Sequence, residues 1–198
     1  MVQPMTKPSF QLGDSLPTLA APPLRLRWLT TADLPALFTI FSDPEVTRYW
    51  GTARFHGLAD AQSLLDDIHA HFHAGTLFQW GIELAGAGSA RQIIGTCTLA
   101  ALDPTNRRAE LGFALGRTHW GKGYARTAVT AVLNFAFEQL DLHRVGADTD
   151  PRNDASIRLL EKLGFRREGL LREHYQVTGE IQDALLFGLL RKEWQASE

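Results

Sequence analysis

Residues 109–165 constrain the fold more than any other part of this chain. They read as a strand, a glycine-rich turn, a long apolar helix, a second strand, a helix opened by Asn and Ser, and a closing Gly-Phe. The turn is Trp120-Gly121-Lys122-Gly123-Tyr124-Ala125-Arg126. Glycines at alternate positions let backbone approach a ligand with no Cβ between them. The helix that follows carries Ala128, Val129, Val132, Leu133, Ala136, Phe137 and Leu140 on one broad apolar face, enough to cover a sheet. Its unpaired N-terminal N–H groups and its dipole face the turn and favour an anion, most simply a phosphate.

Two familiar phosphate-binding designs fit poorly. Gly116-Arg117-Thr118-His119-Trp120-Gly121-Lys122 satisfies most of a P-loop, but Gly123 follows where a Ser or Thr would hold Mg²⁺. A dinucleotide fingerprint would need its third glycine at Arg126, and would open the first βαβ unit rather than fall past mid-chain.

The rest of the chain supplies a sheet. Residues 24–29 read as a first strand. Thr30-x-x-Asp33 starts a helix that carries Leu34, Leu37, Phe38 and Phe41 and ends before Asp43-Pro44. A second amphipathic helix holds Ala61, Leu64, Leu65, Ile68 and Phe72, and Gly75 stops it. Phe78, Trp80, Ile82 and Leu84 alternate with Gln79, Gly81 and Glu83, the period of a half-buried strand. Gly86-Ala87-Gly88-Ser89 turns it into a strand over 93–99. Residues 110–115 form the next strand, with Leu111, Phe113 and Leu115 on one face and Glu110, Gly112 and Ala114 on the other. Short strands follow at 144–149, 165–171 and 183–190, with a helix at 154–163 between the first two. The order is helices, an antiparallel meander, then a βαβ-like core: an α+β fold with a mixed, mostly antiparallel sheet flanked by helices.

Bulk properties narrow the class. A chain of 198 residues suits one domain with a substantial core. The net charge of −2 argues for no nucleic-acid partner. No run of about 18 apolar residues is present, so no membrane span is expected. The first 23 residues hold five prolines and no apolar leader core, and are expected to be a flexible extension on a cytoplasmic protein. Cys97, the sole cysteine, lies in an apolar run and reads as core. His69, His71 and His73 alternate without an acid or thiol to complete a ligand set, so no metal site is expected. His119 and His143 read as structural, and Lys192-Glu193-Trp194 as a solvated end.

Several motifs in order resemble one family. Trp120-x-x-Gly123-x-Ala125 is similar to the acyl-CoA turn of the GNAT N-acetyltransferase superfamily, except that Trp stands where Arg or Gln is usual. Asn153-Asp154-Ala155-Ser156, followed by Leu159-Leu160-Glu161-Lys162-Leu163-Gly164-Phe165, resembles its second signature. So does the tail, Glu168-Gly169-Leu170-Leu171-Arg172 through Asp183 to Trp194. Leu24-Arg25-Leu26-Arg27, Ser42-Asp43-Pro44-Glu45-Val46 and Trp120 resemble the ribosomal-protein N-terminal acetyltransferases of the RimJ/RimL type. The resemblance spans residues 24–194 and implies a single GNAT domain over 24–198.

The resemblance implies acetyl-CoA as co-substrate and an amine acceptor, either a protein N-terminus or a small amine such as a polyamine, amino acid or antibiotic. It also leaves room for a non-catalytic acyl-CoA-binding module, and a homodimer is among the assemblies it allows. Gly121, Lys122, Gly123, Tyr124, Ala125 and Arg126 would cradle the pyrophosphate, and the backbone of Phe113, Ala114 and Leu115 would pair with the pantetheine arm. Glu110 has two readings side by side: general base, or a strand-end carboxylate paired with Arg107 or Arg108. Asn153 would serve pantetheine and cap its helix. Superfamily members often place a Tyr four residues after Ser156 to protonate the thiolate. Leu160 stands there, which leaves Ser156 as the donor near sulfur, or as a side chain bonded to its own helix. Tyr49-Trp50-Gly51, His174 and Tyr175 would face the acceptor, or pack.

Overall fold

The computed structural model describes residues 13–50, 54–85, 91–177 and 179–194. Eight strands form one sheet: β1 (Leu19–Ala21), β2 (Leu24–Arg27), β3 (Phe78–Ala85), β4 (Arg91–Asp103), β5 (Arg108–Leu115), β6 (Arg144–Thr149), β7 (Arg166–Val177) and β8 (Glu180–Leu190). Their order across the sheet is β1-β2-β3-β4-β5-β6-β8-β7. Every neighbouring pair is antiparallel except β5 and β6. The helices are α1 (Leu34–Phe41), α2 (Pro44–Thr47), α3 (Leu58–His73), α4 (Tyr124–Asn134) and α5 (Asp154–Lys162). This is the α+β arrangement that the sequence predicts.

The two faces of the sheet bury different side chains. On one, α4 and α5 lay Val129, Val132, Leu133, Ile157 and Leu160 against Trp80, Ile82, Cys97, Leu111 and Val145. On the other, α1 and α3 cover Ile93 and Ala114 with Leu37, Ile40, Leu65 and Ile68. β3 is therefore buried on both faces rather than half-buried. Gln79 and Glu83 are 7% and 3% exposed, and Leu29 packs where a Cβ on Gly81 would stand. Arginines serve the buried Glu83: Arg25 bonds one oxygen and Arg27 the other at 2.6 Å. Arg27 also grips Asp33 with two bonds of 2.7 and 2.8 Å, and Asp33 accepts from the Thr30 N–H at the helix start.

Three expectations change. The segment before Leu24, read as a flexible extension, contributes β1 and the buried Leu16, and the Pro17 carbonyl accepts the Trp80 indole N–H at 2.9 Å. β7 runs past its predicted end at Leu171 to Val177, and β8 starts at Glu180 rather than Asp183, with register shifts at 167–169 and 171–175. Those irregularities break the alternation that sequence reading depends on. Trp194, expected in solvent, packs on Phe137 and donates to Asn134 Oδ1 at 2.9 Å. The predicted 86–89 turn and Gly51 lie outside the described residues.

The parallel junction positions the site. β5 and β6 pair only at Arg108↔Arg144, Ala109↔Val145 and Glu110↔Gly146. Beyond Glu110 the strands part. Residues 111–115 keep β4 on one side and have no strand partner on the other among the described residues.

Candidate active site

A parting of parallel strands exposes backbone donors and acceptors inside a sheet, where an extended ligand can take the missing strand's place. Both strands run towards the same end of the sheet. β5 leads through Gly116 and a 3-10 turn (Arg117–His119) to the glycine turn and α4; β6 leads through residues 150–153 to α5. Two helix N-termini thus flank the mouth of the opening, the usual place for a ligand in a sheet with parallel strands.

The glycine turn is shaped by backbone. Gly121 and Gly123 have φ of +72° and +80°, and a Cβ on either would meet nothing within 4 Å. Their requirement is therefore conformational, together with leaving the approach from outside clear. The first helical bond of α4 runs from Thr127 N–H to Gly123 C=O at 3.1 Å. The N–H groups of Tyr124, Ala125 and Arg126 thus have no intrahelical acceptor, and Gly123 as N-cap has no side chain to give them one. Trp120 donates its indole N–H to the Leu115 carbonyl at 2.7 Å, tying the turn to the end of β5. Lys122 reaches back to the Thr118 carbonyl at 2.8 Å, and Arg126 is exposed. Between these, one His119 ring nitrogen is buried without a hydrogen-bond partner among the described residues, and desolvation followed by the Lys122 charge lowers its pKa.

Across the opening, Asn153 Oδ1 accepts the Ser156 N–H at 3.2 Å, so Asn153 caps α5 and keeps its amide N–H groups to donate. The Ser156 hydroxyl is half-buried and makes no hydrogen bond within the described residues. It does not bond back to its own helix, as Thr39 does to Pro35. Leu160, one turn on, is buried in the core.

Glu110 stands at the root of the parting. Its carboxylate lies flat over Gly146, where any Cβ would collide with both of its oxygens. Burial pushes the Glu110 carboxyl above the ordinary carboxylate value, and Asp148 pushes it further; Arg144 and Arg108 pull the other way. Arg108 binds Asp103 and Arg107 binds Asp141, so neither expected ion-pair partner holds Glu110. Arg144 instead makes a two-pronged bond with Glu168, one arm 2.8 Å, in the space left by Gly188.

Asp148 escaped the sequence reading. It shares a face of β6 with Arg144 and Gly146, an alternation that shows its meaning only once β5 is set beside it. Tyr175 donates its phenol to Asp148 Oδ2 at 2.8 Å and stacks edge-on against His174. Desolvation and that bond push its pKa up to about 12. Tyr49 lies against the guanidinium groups of Arg48 and Arg152, at 5.4 and 5.7 Å from its ring centre, so the segment after α2 approaches the loop after β6. Trp50 packs on Phe41. His69 stacks on Trp28, and its Nε2 lies 3.1 Å from the Leu29 carbonyl. Cys97 is fully buried, its thiol pushed up to about 12 by desolvation.

Known proteins are similar to this chain in sequence and fold. The model of the acetyltransferase (GNAT) domain matches residues 23–166. An uncharacterised N-acetyltransferase, p20 of Bacillus licheniformis, is 36% identical over 89% of this chain and 98% of its own. RimJ of Mycobacterium smegmatis, solved in complex with CoA-disulfide, superposes with a TM-score of 0.79 at 25% identity, covering 91% of this chain and 88% of its own. Spermidine N-acetyltransferase of Vibrio cholerae, solved with CoA and spermine, gives 0.75 at 26% identity over 86% and 96% of the two chains.

Proposed function

The chain belongs to the GNAT acetyltransferase family and is an acetyl-CoA-dependent N-acetyltransferase; from that premise we propose that its acceptor is a protein N-terminal α-amine, of the ribosomal-protein type. The observation that carries the transferase reading is the parting of β5 and β6 beyond Glu110, with the free Ser156 hydroxyl, the Asn153-capped α5 and the uncapped N–H groups of α4 at its mouth.

In this reading the backbone of Phe113, Ala114 and Leu115 pairs with the pantetheine amides. The N–H groups of 121–126 take the pyrophosphate, with Lys122 and Arg126 at its rim. Glu110 accepts the proton from the acceptor amine, which attacks the thioester carbonyl as the C–N bond forms. The C–S bond then breaks, and the Ser156 hydroxyl donates a hydrogen bond to the leaving thiolate, which takes up its proton from solvent. Cys97, buried and held as a thiol, forms no acyl-enzyme.

The acceptor argument rests on charge. A polycation pocket gathers uncommitted acids, yet here Arg144 neutralises Glu168, Arg152 neutralises Asp150, and Arg25 and Arg27 neutralise Glu83. Glu110 and Asp148, on the two strands that part, make no ion pair among the described residues, and are enough for one ammonium. An α-amine has a pKa of roughly 8 and needs only a modest base. The likeness to the RimJ structure supports this acceptor. The likeness to the spermidine enzyme favours a second reading, a polyamine acceptor.

Acetyl-CoA-dependent thiol release decides between them. The panel holds peptides with free Ala, Ser or Met N-termini, N-blocked lysine peptides, spermidine and an aminoglycoside. Release with free N-terminal peptides alone supports the proposal. Release with spermidine or the aminoglycoside alone replaces it by the small-amine reading.

A further inference from the structure

One row of residues crosses the sheet beside the proposed base, on the face that α1 and α3 cover further along. Glu110 pairs with Gly146, and Gly146 with Gly188. The glycines leave a trough in which the Glu110 carboxylate and the Arg144–Glu168 pair lie. Two residues beyond Gly146 on the same face is Asp148, about 7 Å along the strand. It is held by the Tyr175 phenol from β7, a strand that touches neither β5 nor β6 in the sheet order.

We propose that Gly146 and the Tyr175-held Asp148 are positioning residues for Glu110: the glycine seats the carboxylate flat against the sheet, and the second carboxylate, fixed beside it, makes it a better proton acceptor. The inference rests on the reading of Glu110 as base. The charged and titratable groups that bear on Glu110 are Arg108 on its own strand, Asp148 and Arg144 on β6, and Glu168 and Tyr175 on β7. Arg144 is committed to Glu168 by two bonds and Arg108 to Asp103, so Asp148 is the neighbour whose charge is not already matched by a cation. Among the described residues the Tyr175 phenol is the hydrogen-bond partner that fixes its direction. With any side chain at residue 146, Glu110 swings away from the trough.

The test is the pH profile of kcat/KM for an acceptor peptide with a free N-terminus. Asp148→Asn removes the negative charge that acts on Glu110 from β6. The acid limb then moves to lower pH by about half to one and a half units, and the plateau falls several-fold. Asp148→Glu restores most of both. Tyr175→Phe lowers the plateau with unchanged acetyl-CoA affinity. Gly146→Ala lowers kcat towards the level of Glu110→Gln and adds nothing in that background. If Gly146→Ala does not fold, the variants at exposed Asp148 and half-buried Tyr175 carry the test alone. An Asp148→Asn profile superimposable on that of the unmodified protein overturns the inference while leaving Glu110 as base, provided Glu110→Gln is inactive. Full activity in Glu110→Gln overturns both.

Discussion

The glycine turn yields a prediction that separates backbone strain from ligand binding. Gly75, Gly121, Gly123 and Gly179 all have positive φ, between +70° and +89°, and a Cβ on any of them meets nothing within 4 Å. Alanine at each position therefore carries the same kind of cost: a left-handed backbone for a residue with a Cβ, about 1–2 kcal/mol. For a chain of this size that lowers Tm by roughly 2–8 °C. Gly75 follows α3 and Gly179 turns β7 into β8, and neither belongs to the glycine turn or to residues 111–115. At Gly121 and Gly123 the relaxing backbone also turns N–H groups away from the proposed pyrophosphate. Each charge-assisted bond is worth about 1.5–3 kcal/mol, or roughly 10- to 150-fold in affinity. Calorimetric titration with CoA, alongside thermal unfolding of the four variants, reads both quantities. Four similar drops in Tm are expected, with weakened CoA binding in Gly121→Ala and Gly123→Ala alone. CoA binding within twofold of normal in Gly123→Ala, or equal weakening in Gly179→Ala, refutes the reasoning.

Three further outcomes are expected. Ser156→Ala lowers kcat on the order of 10-fold or more while acetyl-CoA affinity holds, read by steady-state kinetics with direct binding; an unchanged kcat removes Ser156 from the mechanism. Cys97→Ser keeps kcat but loses about 1–3 kcal/mol of stability in urea, because a hydroxyl replaces a fully buried thiol; loss of kcat in folded protein would reopen an acyl-enzyme. Asp33→Asn loses about 2 kcal/mol in urea by releasing Arg27. Burial opposes ionisation of Asp33 and Glu83, yet hydrogen bonds from the arginines and Thr30 hold both carboxyls below their usual values. A depressed folded pKa gives stability that is present above the unfolded pKa and lost as pH falls through the folded one. The deficit of Asp33→Asn should thus be full above about pH 5 and shrink below about pH 4.

Much of the fold was legible because it is written locally. The period-two run at Phe78–Leu84, the helical spacing of Val129, Val132 and Leu133, and the paired glycines at 121 and 123 each announce their element within a few residues. What stayed hidden depends on distant partners. Glu83 looks like a solvated strand residue until β2 brings Arg25 and Arg27 beside it. Leu16 and β1 look like part of a proline-rich extension until Trp80 bonds the Pro17 carbonyl, 63 residues away. Trp120 departs from the family's usual residue, and only the structure gives it a task, at the Leu115 carbonyl. Asp148 and Tyr175 lie 27 residues apart and meet across β8. No local pattern signals such a pair, and the bulge near Glu173 erases the alternation that would have put Tyr175 on a strand face.

The donor is expected to lie as a strand in the gap between β5 and β6, and a crystal structure with CoA bound checks this. It should show pantetheine amides bonded to the backbone of Phe113, Ala114 and Leu115, pyrophosphate on the N–H groups of 121–126, and the thiol sulfur within hydrogen-bonding reach of the Ser156 hydroxyl. CoA seated elsewhere, or a gap closed by pairing of residues 111–115 with β6, would contradict it.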